Sequence, residues 1–287
     1  MQEVEEKKYS ESVESELPIS PGRAGMIVFF SILLFMIIGV MGRLFAESIW
    51  GQVEWKSPFM VVEIFIVIPA ILIIRKYRFP LKAAFRLNPV SLDIMIWSFM
   101  VGISLAILGD QLDRIIQSWY PMPVELLEQL ELTFQTTYAV DFITLFLIGT
   151  AGAGICEEVL FRGFFQKILE KRMHIIAAII FPAVLFGIIH VLPWLIFQIT
   201  ILGVVLGLIA WRTDSVYPTI LIHAVNNAIA ILFLKFATPK VESLYLKNEF
   251  VDSKIVLVSI AIFIFSIKRI WNKSSKKSDT EIAGPHF

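Results

Sequence analysis

Long apolar runs recur about eight times along the 287-residue chain, near 25–46, 58–74, 92–108, 139–165, 175–191, 195–211, 216–236 and 255–267. A bilayer span needs roughly 17–25 mostly apolar residues, because a helix rises about 1.5 Å per residue. Soluble cores do not repeat such runs this often. Only 17% of the residues are charged, where a soluble domain keeps about 25% to cover its surface. Backbone groups in hydrocarbon must also satisfy one another, which leaves helices as the natural unit. The sequence therefore predicts an all-α, polytopic membrane bundle of about eight transmembrane helices.

Charge sets the orientation. Arg75, Lys76, Arg78, Lys82 and Arg86 crowd the second connection, and Lys268, Arg269, Lys273, Lys276 and Lys277 follow the last run. The third connection is acidic, with Asp110, Asp113, Glu125, Glu128 and Glu131 against Arg114. The positive-inside rule then places both termini in the cytoplasm of a multi-pass protein of the cell membrane. Pro121 and Pro123 break that connection, and 124–132 reads as a short interfacial helix. The N-terminal stretch holds Glu3, Glu5, Glu6, Glu11, Glu14 and Glu16 against Lys7 and Lys8, which is no signal-peptide n-region. The first run is thus expected to stay as a span. No repeat of solenoid period occurs, so one membrane domain over 22–270 is expected between a solvated arm (1–21) and a basic tail (271–287). Basic and acidic residues balance at 25 each, so charge calls for no nucleic-acid partner. A single cysteine, Cys156, excludes an internal disulfide. The chain ends Gly284-Pro285-His286-Phe287, which is not a prenylation motif.

Polar residues inside the runs carry the functional information. An ionisable group in a span costs about 2.5–3.5 kcal/mol or more and persists where it faces the bundle interior with partners. Glu63, the pair Glu157-Glu158, His190, and His223 with Asn226 and Asn227 are such residues. Glu158 and Arg162 are four apart, so they meet on one helical face and neutralise each other. Glu157 is turned about 100° from that pair and is available as a base. The bland alternative is an interfacial anchor for the helix end, against which the apolar 159–161 continues past the pair. His223 and Asn227 share a face, while Asn226 is expected to point elsewhere. Two such donors on one wall suit an oxyanion hole, or equally an interhelical hydrogen bond. A lone histidine before Pro193 is more often an end cap than a catalyst. It is the conjunction of base, two imidazoles and amide that favours a hydrolytic constellation inside the bundle. Helical rise puts Glu157 about 15 Å from Lys167, His223 about 14 Å from Asp214, and His190 about 27 Å from Arg172. His190 should then lie nearer the far side of the bilayer, unless tilt or a late helix start closes the gap.

These segments resemble the motifs of the CPBP family, also called the Abi or CAAX-protease and bacteriocin-processing family. Glu-Glu-x-x-x-Arg stands at Glu157, Glu158 and Arg162; Phe-x-x-x-His at Phe186 and His190; His-x-x-x-Asn at His223 and Asn227. All three occur in the family's order within 139–236, and Phe85-Arg86-Leu87 is similar to a short element upstream in bacterial members. The resemblance implies an intramembrane endopeptidase acting on a membrane-associated peptide, of prenylated CAAX type or a leader peptide. Glu157 would be the general base, with His190 positioning the water. His223 and Asn227 would hold the oxyanion, and Glu158 and Arg162 would support them.

No cofactor is required by that scheme. Zinc is the alternative, held by Glu157, His190 and His223 with an open fourth position. Against it, the chain has no His-Glu-x-x-His helix, and asparagine is not a usual zinc ligand. Three other readings differ in class. Cys156 with a histidine would make a cysteine peptidase, although a cysteine in an apolar helix is usually inert. A non-catalytic scaffold or bacteriocin-immunity-type protein would use the polar groups to hold the bundle together. A proton-coupled transporter would usually show inverted repeats, and none is visible.

Overall fold

The computed structural model describes residues 17–50, 65–128, 139–190 and 192–274. Helix α1 (Pro21–Trp50) is followed by the short α2 (Ile68–Lys76) and α3 (Leu81–Ala84), then by α4 (Leu92–Trp119). Helix α5 (Ala139–Glu170) contains two stretches wound as π-helix, Ile148–Gly152 and Val159–Gln166, on either side of Ala153–Glu158. Next come α6 (Ile175–Ile188), α7 (Pro193–Thr213) and α8 (Tyr217–Phe236). The short α9 (Pro239–Tyr245) leads into an antiparallel hairpin, β1 (Leu246–Lys247) and β2 (Phe250–Val251), and α10 (Ser253–Lys273) closes the bundle.

Among the described residues, six helices are long and apolar enough to cross a bilayer: α1 (over Pro21–Gly42), α4, α5, α7, α8 and α10. The chain is thus a multi-pass helical membrane protein, with six such helices where the sequence suggested about eight. The difference lies in two runs. Helix α6 has 14 residues, about 21 Å at 1.5 Å per residue, against a hydrocarbon core of about 30 Å. In the second run Ile68–Lys76 is helical, while residues 58–64, and with them Glu63, lie outside the described residues. Most of the expected arm and tail also lies outside them, as do residues 129–132; residues 124–128 are helical.

Helix α4 continues eleven residues beyond the apolar run that ended at Leu108. Polar pairs at helical spacing carry this extension: Arg114 Nε lies 3.1 Å from Asp110 Oδ2, and Gln117 Nε2 lies 2.6 Å from Asp113 Oδ2. Ser91 and Asp252 cap the starts of α4 and α10 by accepting from the backbone N–H of Ile94 and Lys254. At the other end of α10, the buried Arg212 donates to the carbonyls of Trp271 and Ser274, at 2.9 and 3.2 Å. Among the described residues those carbonyls find no helical N–H donor.

Two apolar clusters form the core. One joins Ala24 and Val28 of α1 to Phe161, Phe164 and Phe165 of α5 and to Phe85. The other joins Ile94 and Val101 of α4 to Leu206 of α7, Ile222 of α8 and Ile270 of α10.

Arg86, counted in the sequence as a loop charge, is instead fully buried. It forms an ion pair with Glu170 at the end of α5 and another with Asp214, whose Oδ1 is 3.1 Å from Nε, in the α7–α8 turn. Its carbonyl accepts from Val216 N at 3.1 Å. Burial opposes the charge, yet Glu170 and Asp214 together hold the guanidinium above its ordinary pKa. One residue thus ties three parts of the chain together at the end of the bundle where α5 and α7 finish. Gly163 completes the junction: a Cβ there would lie 2.6 Å from the Phe85 carbonyl oxygen.

Arg86→Met leaves Glu170 without its cation and should cost about 3–5 kcal/mol of stability. Gly163→Ala should cost about 1–3 kcal/mol by overpacking against backbone. Gly22→Ala, where a Cβ would meet nothing within 4 Å, serves as the neutral control. Unfolding of the three variants in detergent checks the ranking.

Candidate active site

The site is built from α5, α6 and α8, and its deepest element is an ion pair. Arg162 Nη1 lies 2.8 Å from Glu158 Oε1, as the four-residue spacing predicted, and the two side chains are 1% and 0% exposed. Glu158 Oε1 also lies 3.1 Å from His223 Nδ1. A carboxylate accepts, so His223 donates from Nδ1 and turns Nε2 towards Glu157, whose Oε2 is 3.7 Å away. The Arg162 guanidinium stands 4.3 Å from the centre of the Phe186 ring, a cation–π contact strengthened by exclusion of water.

Phe186 is the hub of the apolar packing. Its ring meets Phe161, His190 and His223 edge-on, at centroid distances of 5.1, 4.9 and 5.9 Å. Its carbonyl lies 2.7 Å from His190 Nδ1. A carbonyl accepts only, so Nδ1 is the donor, and in the neutral ring Nε2 is then the acceptor. The Phe-x-x-x-His spacing thus places the ring that packs both imidazoles one helical turn before the histidine it orients.

Asn227 is fixed by an irregularity in α5. In the π-wound Ile148–Gly152, the N–H of Ala153 bonds to the carbonyls of Ile148 and Thr150, passing over Gly149. The Gly149 carbonyl accepts instead from Asn227 Nδ2 at 2.9 Å. Wide turns of this kind often occur at functional sites.

Glu157, His190, His223 and Asn227 all line one cavity of about 570 Å³ between α4, α5, α7 and α8. Glu158 and Arg162 stand behind it rather than on its wall. His190 reaches the cavity although helical rise from Arg172 placed it deeper. The chain turns through 171–174 before α6 starts at Ile175, which removes part of that rise. Asn226, expected to point elsewhere, also lines the cavity, and its Nδ2 donates to Asn227 Oδ1 at 3.3 Å. Cys156 is buried and does not line the cavity. Gln198 on α7 does line it; its amide was visible within an apolar run, but no spacing singled it out. Among the described residues, no three His, Cys, Asp or Glu side chains gather as a metal-holding group, and the set Glu157, His190 and His223 does not stand as one.

The two neighbouring glutamates differ in what they support. Glu158→Ala leaves a fully buried guanidinium without its carboxylate and should cost about 3–5 kcal/mol. Glu157→Ala should cost distinctly less. Thermal unfolding of both variants in the same detergent measures the difference.

No curated protein and no solved structure matches the chain. The family model for Rce1-like proteins, type II CAAX prenyl endopeptidases, does match, over residues 139–229. That stretch runs from the start of α5 to beyond Asn227 and holds every side chain of the arrangement above, so the part of the chain that carries the site is the part that is similar to the Rce1-like proteins of the CPBP family.

Proposed function

We propose that the chain is an intramembrane endopeptidase that hydrolyses a peptide bond of a membrane-associated peptide with a water activated by Glu157. The observation that carries this reading is the single cavity lined by Glu157, His190, His223 and Asn227. The Rce1-like match supports protease chemistry and a substrate presented beside lipid, with a prenylated CAAX-type peptide the first class to test.

Each side chain has a role suited to its hydrogen bonds. Glu157 takes a proton from the water while the His190 lone pair accepts the other hydrogen and aims the oxygen. The water oxygen bonds to the scissile carbonyl carbon, and the carbonyl electrons move onto its oxygen. That oxyanion is held by Asn227, which has a second Nδ2–H beyond the one given to Gly149, and by His223 from Nε2 when that nitrogen is protonated. The intermediate collapses, the C–N bond breaks, and Glu157 returns the proton to the departing amine. Glu158, neutralised by Arg162, holds the His223 ring at Nδ1. Water and protein groups alone supply this reaction. We further infer, from the basic connections, that both termini lie in the cytoplasm of a multi-pass protein of the cell membrane.

The test is cleavage of a quenched prenylated CAAX peptide by the purified protein. Glu157→Gln should lower kcat/KM by about 10²–10⁴-fold, the usual contribution of a positioned base. Asn227→Ala should lower kcat by about 10²–10³-fold, the usual loss of one oxyanion donor. Both variants should keep the wild-type fold. Activity that survives Glu157→Gln would sink the mechanism. Loss with a chelator and recovery with zinc would replace it by a metallopeptidase.

A further inference from the structure

Five of the polar side chains on the cavity wall come from α5, the end of α6, and α8. Gln198 faces the cavity from α7, among aliphatic neighbours such as Leu195, Ile199 and Leu202. The reaction proposed above gives it no role. Its depth follows from the register of α7 against α5. Gln166 Nε2 donates to Gly207 O at 2.9 Å, and the Cβ position of Gly203 lies 3.0 Å from Arg162 Nη2. Both pairs are separated by 41 in sequence (207 less 166, 203 less 162). The two helices run in the same direction, so the same offset places Gln198 at the level of Glu157 (198 less 157).

The amide is also seated. A Cβ at Gly109 of α4 would lie 2.6 Å from Gln198 Nε2, so the missing side chain lets the carboxamide lie close against α4. A carboxamide offers one acceptor and two donors without charge. That is the complement of a peptide group, and it places no second ion opposite Glu157. A peptide entering an otherwise apolar wall needs such a partner, because a main-chain amide left unpaired there costs several kcal/mol.

We propose that Gln198 is a substrate-binding residue, hydrogen-bonding through its carboxamide a main-chain amide of an extended peptide held between α7 and Glu157. This rests on the peptidase reading and adds to it a second wall that recognises backbone. Recognition through backbone is indifferent to side-chain identity at that position.

The test uses the full chain in detergent, the quenched prenylated peptide, and the same peptide with an ester in place of each amide flanking the scissile bond. Gln198→Ala should raise KM about tenfold, the loss of one hydrogen bond, with kcat within about twofold. Gly109→Ala should move KM the same way, since the new Cβ displaces the amide without removing it. One ester peptide should lose about as much with wild type and nothing further with Gln198→Ala. An unchanged KM, or an ester penalty that persists in Gln198→Ala, overturns the proposal. Binding is read separately as fluorescence anisotropy of a labelled peptide on the Glu157→Gln protein, where adding Gln198→Ala should weaken Kd about tenfold. Absence of binding, or an unchanged Kd, overturns the role of Gln198. Peptide bound through Gln198 but never cleaved by wild type would support that role and retire the peptidase reading instead.

Discussion

A guanidinium and a carboxylate buried together, Arg162 and Glu158, set the terms for the helices around them. Each ion alone inside a membrane bundle would be strongly unfavourable, and their mutual attraction offsets this only when the geometry is good and the remaining positions are filled. The surroundings meet that demand in part: His223 donates to Glu158 Oε1 and the Phe186 ring faces the guanidinium, while Glu158 Oε2 and Arg162 Nη2 are buried with no hydrogen-bond partner among the described residues. Both elements must therefore come close to α5, so α6 and α8 are drawn in by the same pair. The imidazole of His223 and, through Phe186, that of His190 arrive at the cavity as a result. Electrostatic compensation and assembly of the site are one event.

The second constraint is backbone geometry. An α-helix uses its own carbonyls, so a wall of regular helices has little main-chain polarity to offer a cavity. The π-wound turn at Ile148–Gly152 changes this by making one carbonyl, that of Gly149, available to a neighbouring helix. Asn227 is thereby held at one Nδ2 hydrogen and supported at Oδ1 by Asn226. An amide so restrained loses little on engaging a developing charge.

What could be read in the sequence was local. The spacing of Glu158 and Arg162 implies their contact because helical period alone brings them together. The apolar runs at α4, α5, α7 and α8 are long enough to be recognised without neighbours, whereas α10 extends well beyond the short run that marks it. What could not be read depends on distant partners. Arg86 looks like an exposed loop cation until Asp214, 128 positions away, and Glu170 come beside it. The acids of α4 looked like a connection because their i, i+4 partners, Arg114 and Gln117, do not register as apolar. Asn226 was assigned the wrong direction by an ideal 100° step, which ignores that the cavity spans two sides of α8. The shortness of α6 was hidden because apolar composition continues past the residue where its helix stops.

The long reach of α4 has a consequence for biosynthesis. Its main partners are α8 and α10, which follow it by roughly a hundred residues or more. The β1–β2 hairpin is fastened to it as well, by Gln111 to Val251 N at 2.8 Å and by Arg114 to the Glu249 carbonyl at 3.0 Å. Helices emerge from the ribosome in order, so the face of α4 that α8 and α10 cover stays uncovered until both have been made. The cavity between α4, α5, α7 and α8 lacks its fourth wall until α8 has been made. The chamber is consequently closed late in synthesis, by a helix made long after the wall that it faces.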